Sequence, residues 1–411
     1  MTYSILLTIT FLTFAMLAWR DLKMALILLA GLLPIYLLRF SIGPVPSTAL
    51  EFLILITFLI WTFKLRDAIF RQNVSECVLK LRVWVRPTML LIAAASIGVA
   101  VAPAVFSALG IWKAYFIEPI LVAIMMATTL KPKDVSSVLK SLAVSSIILS
   151  VIGILQYLTG LGIPSPWDIE LRITSIFDYP NALGLFVGPV VTIAMMGWVL
   201  DVGGWITKTH NTTKHPAFDI TLWTATIILG AIAITLSKTE AAMVAIPAAL
   251  LITFLISPAR IWRTSPPHKW QVSVGALLAF ILLLGFVSPV REKIFLQDYS
   301  GQVRLSQWSE TVELLKNHPF FGAGLNGYPI ALKPYHDSTA YEIFQYPHNI
   351  FLNIWVELGV LGLIAFFWFA FLFFRKTLQT TNYNLLFYRS SLPLPPYSFT
   401  AWSTFPILKM I

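Results

Sequence analysis

The chain has 411 residues, of which 57% are hydrophobic and 12% charged; its mean hydropathy is +0.79 and its formal net charge +10. A soluble domain of ordinary, half-apolar composition is excluded. The single cysteine, Cys77, excludes an intramolecular disulfide and supplies no metal cluster.

The apolar residues come in runs of roughly 17–25, long enough to cross about 30 Å of hydrocarbon as helices. Lipid satisfies no backbone polar group, so such runs must be helical, whereas a membrane barrel would alternate. The expected fold is therefore an all-α polytopic integral membrane protein. In chain order the spans fall at 5–19, 22–39, 49–63, 89–105, 115–130, 139–158, 183–200, 220–236, 241–256, 272–287 and 350–374, about eleven helices. Arg20, Asp21 and Lys23 leave little loop between the first two. The first run has no small-residue cleavage site and is followed at once by a second, which reads as a retained helix rather than a leader.

The basic residues set the orientation. Arg20 and Lys23; Lys64, Arg66, Arg71, Lys80, Arg82 and Arg86; Lys131, Lys133 and Lys140; Lys208 and Lys214; Arg260, Arg263 and Lys269; and Arg375 and Lys376 all fall in connections that the threading puts on one side. That side is expected to be the cytoplasm. The positive charge thus reads as membrane topology, and no nucleic-acid signature accompanies it. The opposite side receives SIGPVPS, a turn near Gly110, the segment 159–182, the turn SKTE and a long loop over 288–348. By this reading the chain divides into N-terminal helices (1–170), a core (171–375) holding the outer loop, and a proline-bearing tail (376–411), cytoplasmic and poorly ordered.

A loop of this length is disproportionately a functional one. Within it VRLSQWSETVELLKN spaces Arg304, Trp308, Val312 and Leu315 as a helix does, and a Trp-bearing amphipathic helix suits the membrane interface. NHPFFGAG then breaks it.

Several outer-side residues are charged or titratable and close to the membrane: Arg172, Lys238, Glu240, Arg304, His348 and, inside the last span, Glu357. Two arginines and a lysine can clamp a diphosphate, arginine by its bidentate fork. A histidine beside them can take a proton from an attacking hydroxyl. The leaving diphosphate needs cations more than it needs a proton, so the scheme requires no metal and no cofactor. Plainer readings stand beside these: headgroup anchoring for Arg172 and Arg304, snorkelling for Lys238, helix capping for His348 and Asn349, a structural bond for Glu357, a turn for His318, and backbone geometry for the glycines of GAGLNG. Asp168 and Glu170 form a D-x-E pair that would suit a divalent cation.

Four segments in order carry a resemblance to the O-antigen ligase and polymerase superfamily of bacterial membrane glycan transferases. They are RITSIFDYPNALG, LSKTEAAMVA, RLSQWSETVELLKNHPFFGAGLNGY and PHNIFLNIWVELGVLGL. The resemblance covers roughly 172–375. It implies a metal-independent transferase in the bacterial inner membrane, its large loop extracytoplasmic, with an undecaprenyl-diphosphate-linked glycan as donor and a hydroxyl acceptor as second substrate. It assigns the diphosphate to Arg172 and Arg304 and the acceptor base to His348, with Lys238, Asn349, Trp308, Gly322 and Gly324 around the substrates. Lys238 stands where the family usually has Arg, and Ile176 and Thr239 stand where it has Gly. The competing class is a transporter or flippase of lipid-linked glycans or small anions, using the same cations as a binding site.

Overall fold

The protein is described from a computed structural model over residues 2–42, 45–70, 75–207, 216–256, 296–336 and 341–389. The expected span at 272–287, the basic residues Arg71, Lys208, Lys214, Arg260, Arg263 and Lys269, and positions 390–411 of the tail lie outside these residues. The chain forms two compact units interleaved along the sequence: Met1–Leu65 with Thr129–Pro258, and Arg66–Thr128 with Ala259–Ile411.

The first unit opens with α1 (Thr2–Arg20) and α2 (Leu22–Gly31). The three polar residues between them suffice because the Asp21 carboxylate caps α2, accepting from the N–H groups of Lys23 and Met24. The 22–39 run is not one helix. It ends at Gly31, where a Cβ would lie 2.4 Å from Ser141 Oγ, and continues as a 3-10 turn with Pro34 near its start. The described residues of SIGPVPS lie in paired strands, β1 (Arg39–Ile42) antiparallel to β2 (Val45–Thr48). Thr48 and Glu51 then start α3 (Ala49–Phe70) as a reciprocal cap: Thr48 Oγ1 accepts from Glu51 N, and the Glu51 carboxylate accepts from Thr48 N.

Beyond residue 129 this unit continues with α7 (Val135–Thr159), α8 (Pro180–Thr207), α9 (Pro216–Leu236) and α10 (Glu240–Ile256). Gly160, left-handed at φ +69°, ends α7. The unit's core is Leu149, Ile173, Phe177, Leu183, Val187 and Val191 with Ala233 and Ile234. α8 and α9 approach closely because Gly230 faces Val191. Lys23 pairs with Asp134 at 3.0 Å, Lys140 with Asp219 at 2.6 Å, and Lys64 donates to the Trp19 carbonyl.

The second unit contains α4 (Ser75–Ala100), α5 (Val105–Ile111), a π-helical turn (Trp112–Ile117), α6 (Glu118–Thr129), α11 (Tyr299–Asn317), α12 (Tyr328–Leu332) and α13 (Ile350–Arg389). α13 packs along α4. Three expectations change here. The basic stretch 64–86 is largely helix, divided between α3 and α4, because it contains no Gly or Pro to stop one. The turn expected near Gly110 lies instead at 101–104, where Pro103 lacks an N–H and disfavours helix at Ala102; Gly110 is inside α5. The last span is not continuous: Gly359 at φ +66°, ψ −167° breaks α13, which beyond the break runs past Lys376 to Arg389.

Among the described residues, six helices are long and apolar enough to cross a membrane: Arg82–Ala100, Val105–Thr129, Pro132–Thr159, Pro180–Trp198, Asp219–Leu236 and Ile350–Thr377. Ile5–Arg20, Leu22–Gly31 and Glu240–Leu250 are apolar but shorter.

Candidate functional site

In the first unit the segment 160–179 folds onto the turn between α9 and α10. Its anchor is Gln156, whose Oε1 accepts from the N–H groups of Thr174 and Ser175 while Nε2 donates to the carbonyls of Gly162 and Ser175. All four capacities of one buried amide are spent on holding that loop. Ser175 Oγ donates to the Leu149 carbonyl and Ile173 is fully buried, so Arg172 emerges from a fixed backbone.

Arg172 Nε donates to the Ser237 carbonyl at 3.2 Å and Nη2 to that of Lys238 at 3.5 Å, with the guanidinium 5.0 Å from the centre of the Trp167 ring. Carbonyls and an aromatic face orient the group without cancelling its charge. Lys238 occupies the left-handed region at φ +51°, and its Nζ donates to the Glu170 carbonyl at 3.1 Å and lies 3.8 Å from the Glu170 carboxylate. Both side chains of that pair are exposed, so it contributes little to stability. Thr239, buried where the resemblance has Gly, fits because Gly184 faces it: a Cβ there would be 2.3 Å from Thr239 Cγ2. Ile176 is exposed.

In the second unit α11 confirms the expected helix, capped by the Asp298 carboxylate on Gly301 N. Its buried face is Val303, Gln307, Thr311, Leu314 and Leu315, so of the expected stripe Leu315 is buried while Arg304 and Val312 are exposed. Trp308 Nε1 donates to the Pro347 carbonyl at 2.7 Å, next to His348. The His348 backbone is left-handed at φ +50°, and its ring meets Phe344 and Tyr346 edge-on at 5.0 and 4.9 Å between centres. Desolvation by the surrounding protein, and secondly the charge of Arg304, hold this imidazole below the usual histidine range. Both effects favour the neutral imidazole over the imidazolium.

Asn349 is the cap of α13: its Oδ1 accepts from the N–H groups of Phe351 and Leu352. His318 closes α11, its N–H on the Leu314 carbonyl, as a turn residue would. Gly322 and Gly324 have left-handed backbones and committed N–H groups, to the carbonyls of His318 and Val356 respectively. A Cβ on Gly322 would lie 2.2 Å from the Val356 carbonyl oxygen. Their evident service is close passage of the chain past the break in α13, where Val360 N donates to the Phe320 carbonyl. Glu357, just before that break, accepts from the N–H of Asn326, whose Nδ2 donates to Ser107 Oγ.

Gln156, Glu310, His336 and Tyr341 were not legible as participants. Gln156 carried one signal, an amide within an apolar run. Glu310 lies at helical spacing like any solvated acid, and nothing in sequence pairs it with His336, which it meets at 2.9 Å.

The apolar helices define an α-helical membrane protein. Residues 225–367 match the family model described as O-antigen ligase, which supports the expected resemblance to that superfamily. The match supports a membrane glycosyltransferase of the O-antigen ligase and polymerase type, acting on lipid-linked saccharide in a bacterial membrane. It includes Lys238, Arg304, Trp308, Gly322, Gly324, His348 and Asn349, and leaves Arg172 outside. No curated protein matches the chain.

Proposed function

We propose that the protein is a glycan ligase or polymerase of the bacterial inner membrane. It transfers saccharide from an undecaprenyl-diphosphate-linked donor to a hydroxyl in surface polysaccharide or glycoconjugate synthesis, with its large loop extracytoplasmic. The observation carrying this reading is His348, a base kept neutral beside the positive charge of Arg304 on a chain with the O-antigen ligase match. The acceptor oxygen attacks the anomeric carbon. The bond from that carbon to the diphosphate oxygen breaks, its electron pair leaves with the diphosphate, and His348 takes the hydroxyl proton.

The resemblance assigns the departing diphosphate to Arg304 and Arg172, with Lys238 as a point charge that lacks arginine's fork. Carbonyl partners for Arg172 support its role, since a charge not spent on a carboxylate is available to phosphate. Glu170 lies beside Lys238, which favours a partner to the lysine over a metal ligand for that acid. Asn349 and Trp308 enter this scheme through the backbone around His348, and Gly322 and Gly324 through the shape of the loop.

Transport is the second reading, and the break in α13 is the observation in its favour, because discontinuous helices build transporter sites. Here the break is filled by protein: Ala323 and Gly324 donate to the Val356 carbonyl, and Val360 to that of Phe320. Backbone groups so satisfied do not line a substrate cavity, which favours the enzyme.

The test is a pair of substitutions, His348→Ala and Arg304→Ala, assayed for glycan transfer and for membrane insertion. Both should insert normally and lose transfer by about 10²–10⁴-fold, the usual worth of a general base or an oriented charge. Full activity in His348→Ala would remove the base assignment.

A further inference from the structure

The second unit ties one loop to one helix more heavily than packing requires. Four residues of α11, Ser306, Gln307, Trp308 and Glu310, bond to the segment that ends at His348. Gln307 Nε2 donates to the Glu342 carbonyl at 3.1 Å and Trp308 Nε1 to the Pro347 carbonyl at 2.7 Å. Tyr341 Oη meets Ser306 Oγ and donates to Glu310 Oε1 at 3.3 Å. Glu310 Oε2 receives His336 Nδ1 at 2.9 Å, and His336 Nε2 faces the Tyr341 carbonyl at 3.1 Å.

Both ring nitrogens of His336 therefore face acceptors, and the ring satisfies both only as an imidazolium. Its partner is a carboxylate, and each side chain is only 12% exposed. A charge-assisted bond in such surroundings is stronger than a surface pair. His336 and the described residues 341–347 are thus tied to the helix that carries Arg304.

We propose that Trp308 and Glu310 are positioning residues that latch the His348 loop onto α11, so that the base and Arg304 keep a fixed mutual placement. The proposal rests on the reading of His348 as the acceptor base. It moves Trp308 from a substrate contact to a group acting through Pro347, and gives Glu310 a part in the reaction. The latch also explains the left-handed backbone at His348: a residue held in that conformation needs its neighbours fixed, and the Pro347 carbonyl is fixed by the indole.

The experiment uses the full chain in lipid nanodiscs, with Trp308→Phe and Glu310→Ala. Trp308→Phe keeps an aromatic ring and removes one donor, whereas Glu310→Ala releases the other end of the same loop. The primary readout is carbethoxylation of His348 by diethylpyrocarbonate against pH, followed by peptide mass. Arg304 is the charge acting on this imidazole, and Tyr346 is the titratable ring against it. A released loop takes His348 into water and away from Arg304, so its titration should rise in both variants toward the ordinary value of about 6.5.

With a lipid-linked oligosaccharide as donor, kcat should fall about tenfold in each variant while KM changes less than about twofold, the pattern of a lost transition-state placement. A shifted titration in a protein that transfers no saccharide upholds the latch and removes the glycan-transfer reading alone. An unchanged His348 titration in both variants overturns the latch, whatever the activity.

Discussion

In the proposed scheme His348 accepts a proton and must be neutral to do so, and its surroundings favour that form. Partial burial and Arg304 both disfavour the imidazolium, so its protonation falls at a lower pH than for a free histidine. The sign follows directly. In the proposed scheme falling pH should remove activity as His348 takes up a proton, and a lowered pKa moves that loss to more acidic pH. The acid limb of the kcat profile should therefore lie below about 6.5, the ordinary value. A limb at or above it would show that the ring is solvated and unaffected by Arg304. Tyr328 illustrates the opposite case. Burial pushes its phenol up to about 12, so it stays neutral and bonds Thr311 Oγ1 at 2.9 Å, and it offers no second base.

At the scale of elements, two devices hold the candidate residues in place, and both were hidden from the sequence. Gln156 makes four bonds to the loop before Arg172. Replacing it by Ala leaves buried N–H groups at Thr174 and Ser175 and should cost about 3 kcal/mol, read as a lower unfolding midpoint in detergent. A cost near zero would mean that the loop finds its own conformation. The second device is the passage of 320–324 beside the break in α13. Gly322→Ala brings a Cβ against the Val356 carbonyl at φ +67°, and should destabilise by about 3 kcal/mol with a loss of inserted protein. Tolerance of Ala there would refute the tight fit.

Six of the expected spans were legible because hydrocarbon length is written in the run of apolar residues, and the α11 helix because its spacing is periodic. The break at Gly359 was not, since a glycine in an apolar run is common in membrane helices and only the Phe320–Phe321 backbone packed against it reveals the break. Likewise 22–39 read as one span although Gly31 and Pro34 end it; hydropathy is blind to backbone conformation. The candidate residues come from motif order, and the bonds they make were illegible: Trp308 announces an aromatic, never its donor contact to Pro347.

For the whole molecule, the O-antigen ligase match over 225–367 and the six long apolar helices support one class of chemistry on lipid-linked saccharide. In the proposed scheme the leaving diphosphate is stabilised by arginine and lysine, so chelation with EDTA should leave transfer unchanged. Loss on chelation, restored by Mn²⁺, would instead turn attention to Asp168 and Glu170. The most direct measurement is release of undecaprenyl diphosphate from an undecaprenyl-diphosphate oligosaccharide by the purified protein, compared with His348→Ala. The account predicts release with a hydroxyl acceptor present and its loss in the variant. Equal release by both would contradict it, as would no release by the intact protein with any hydroxyl acceptor.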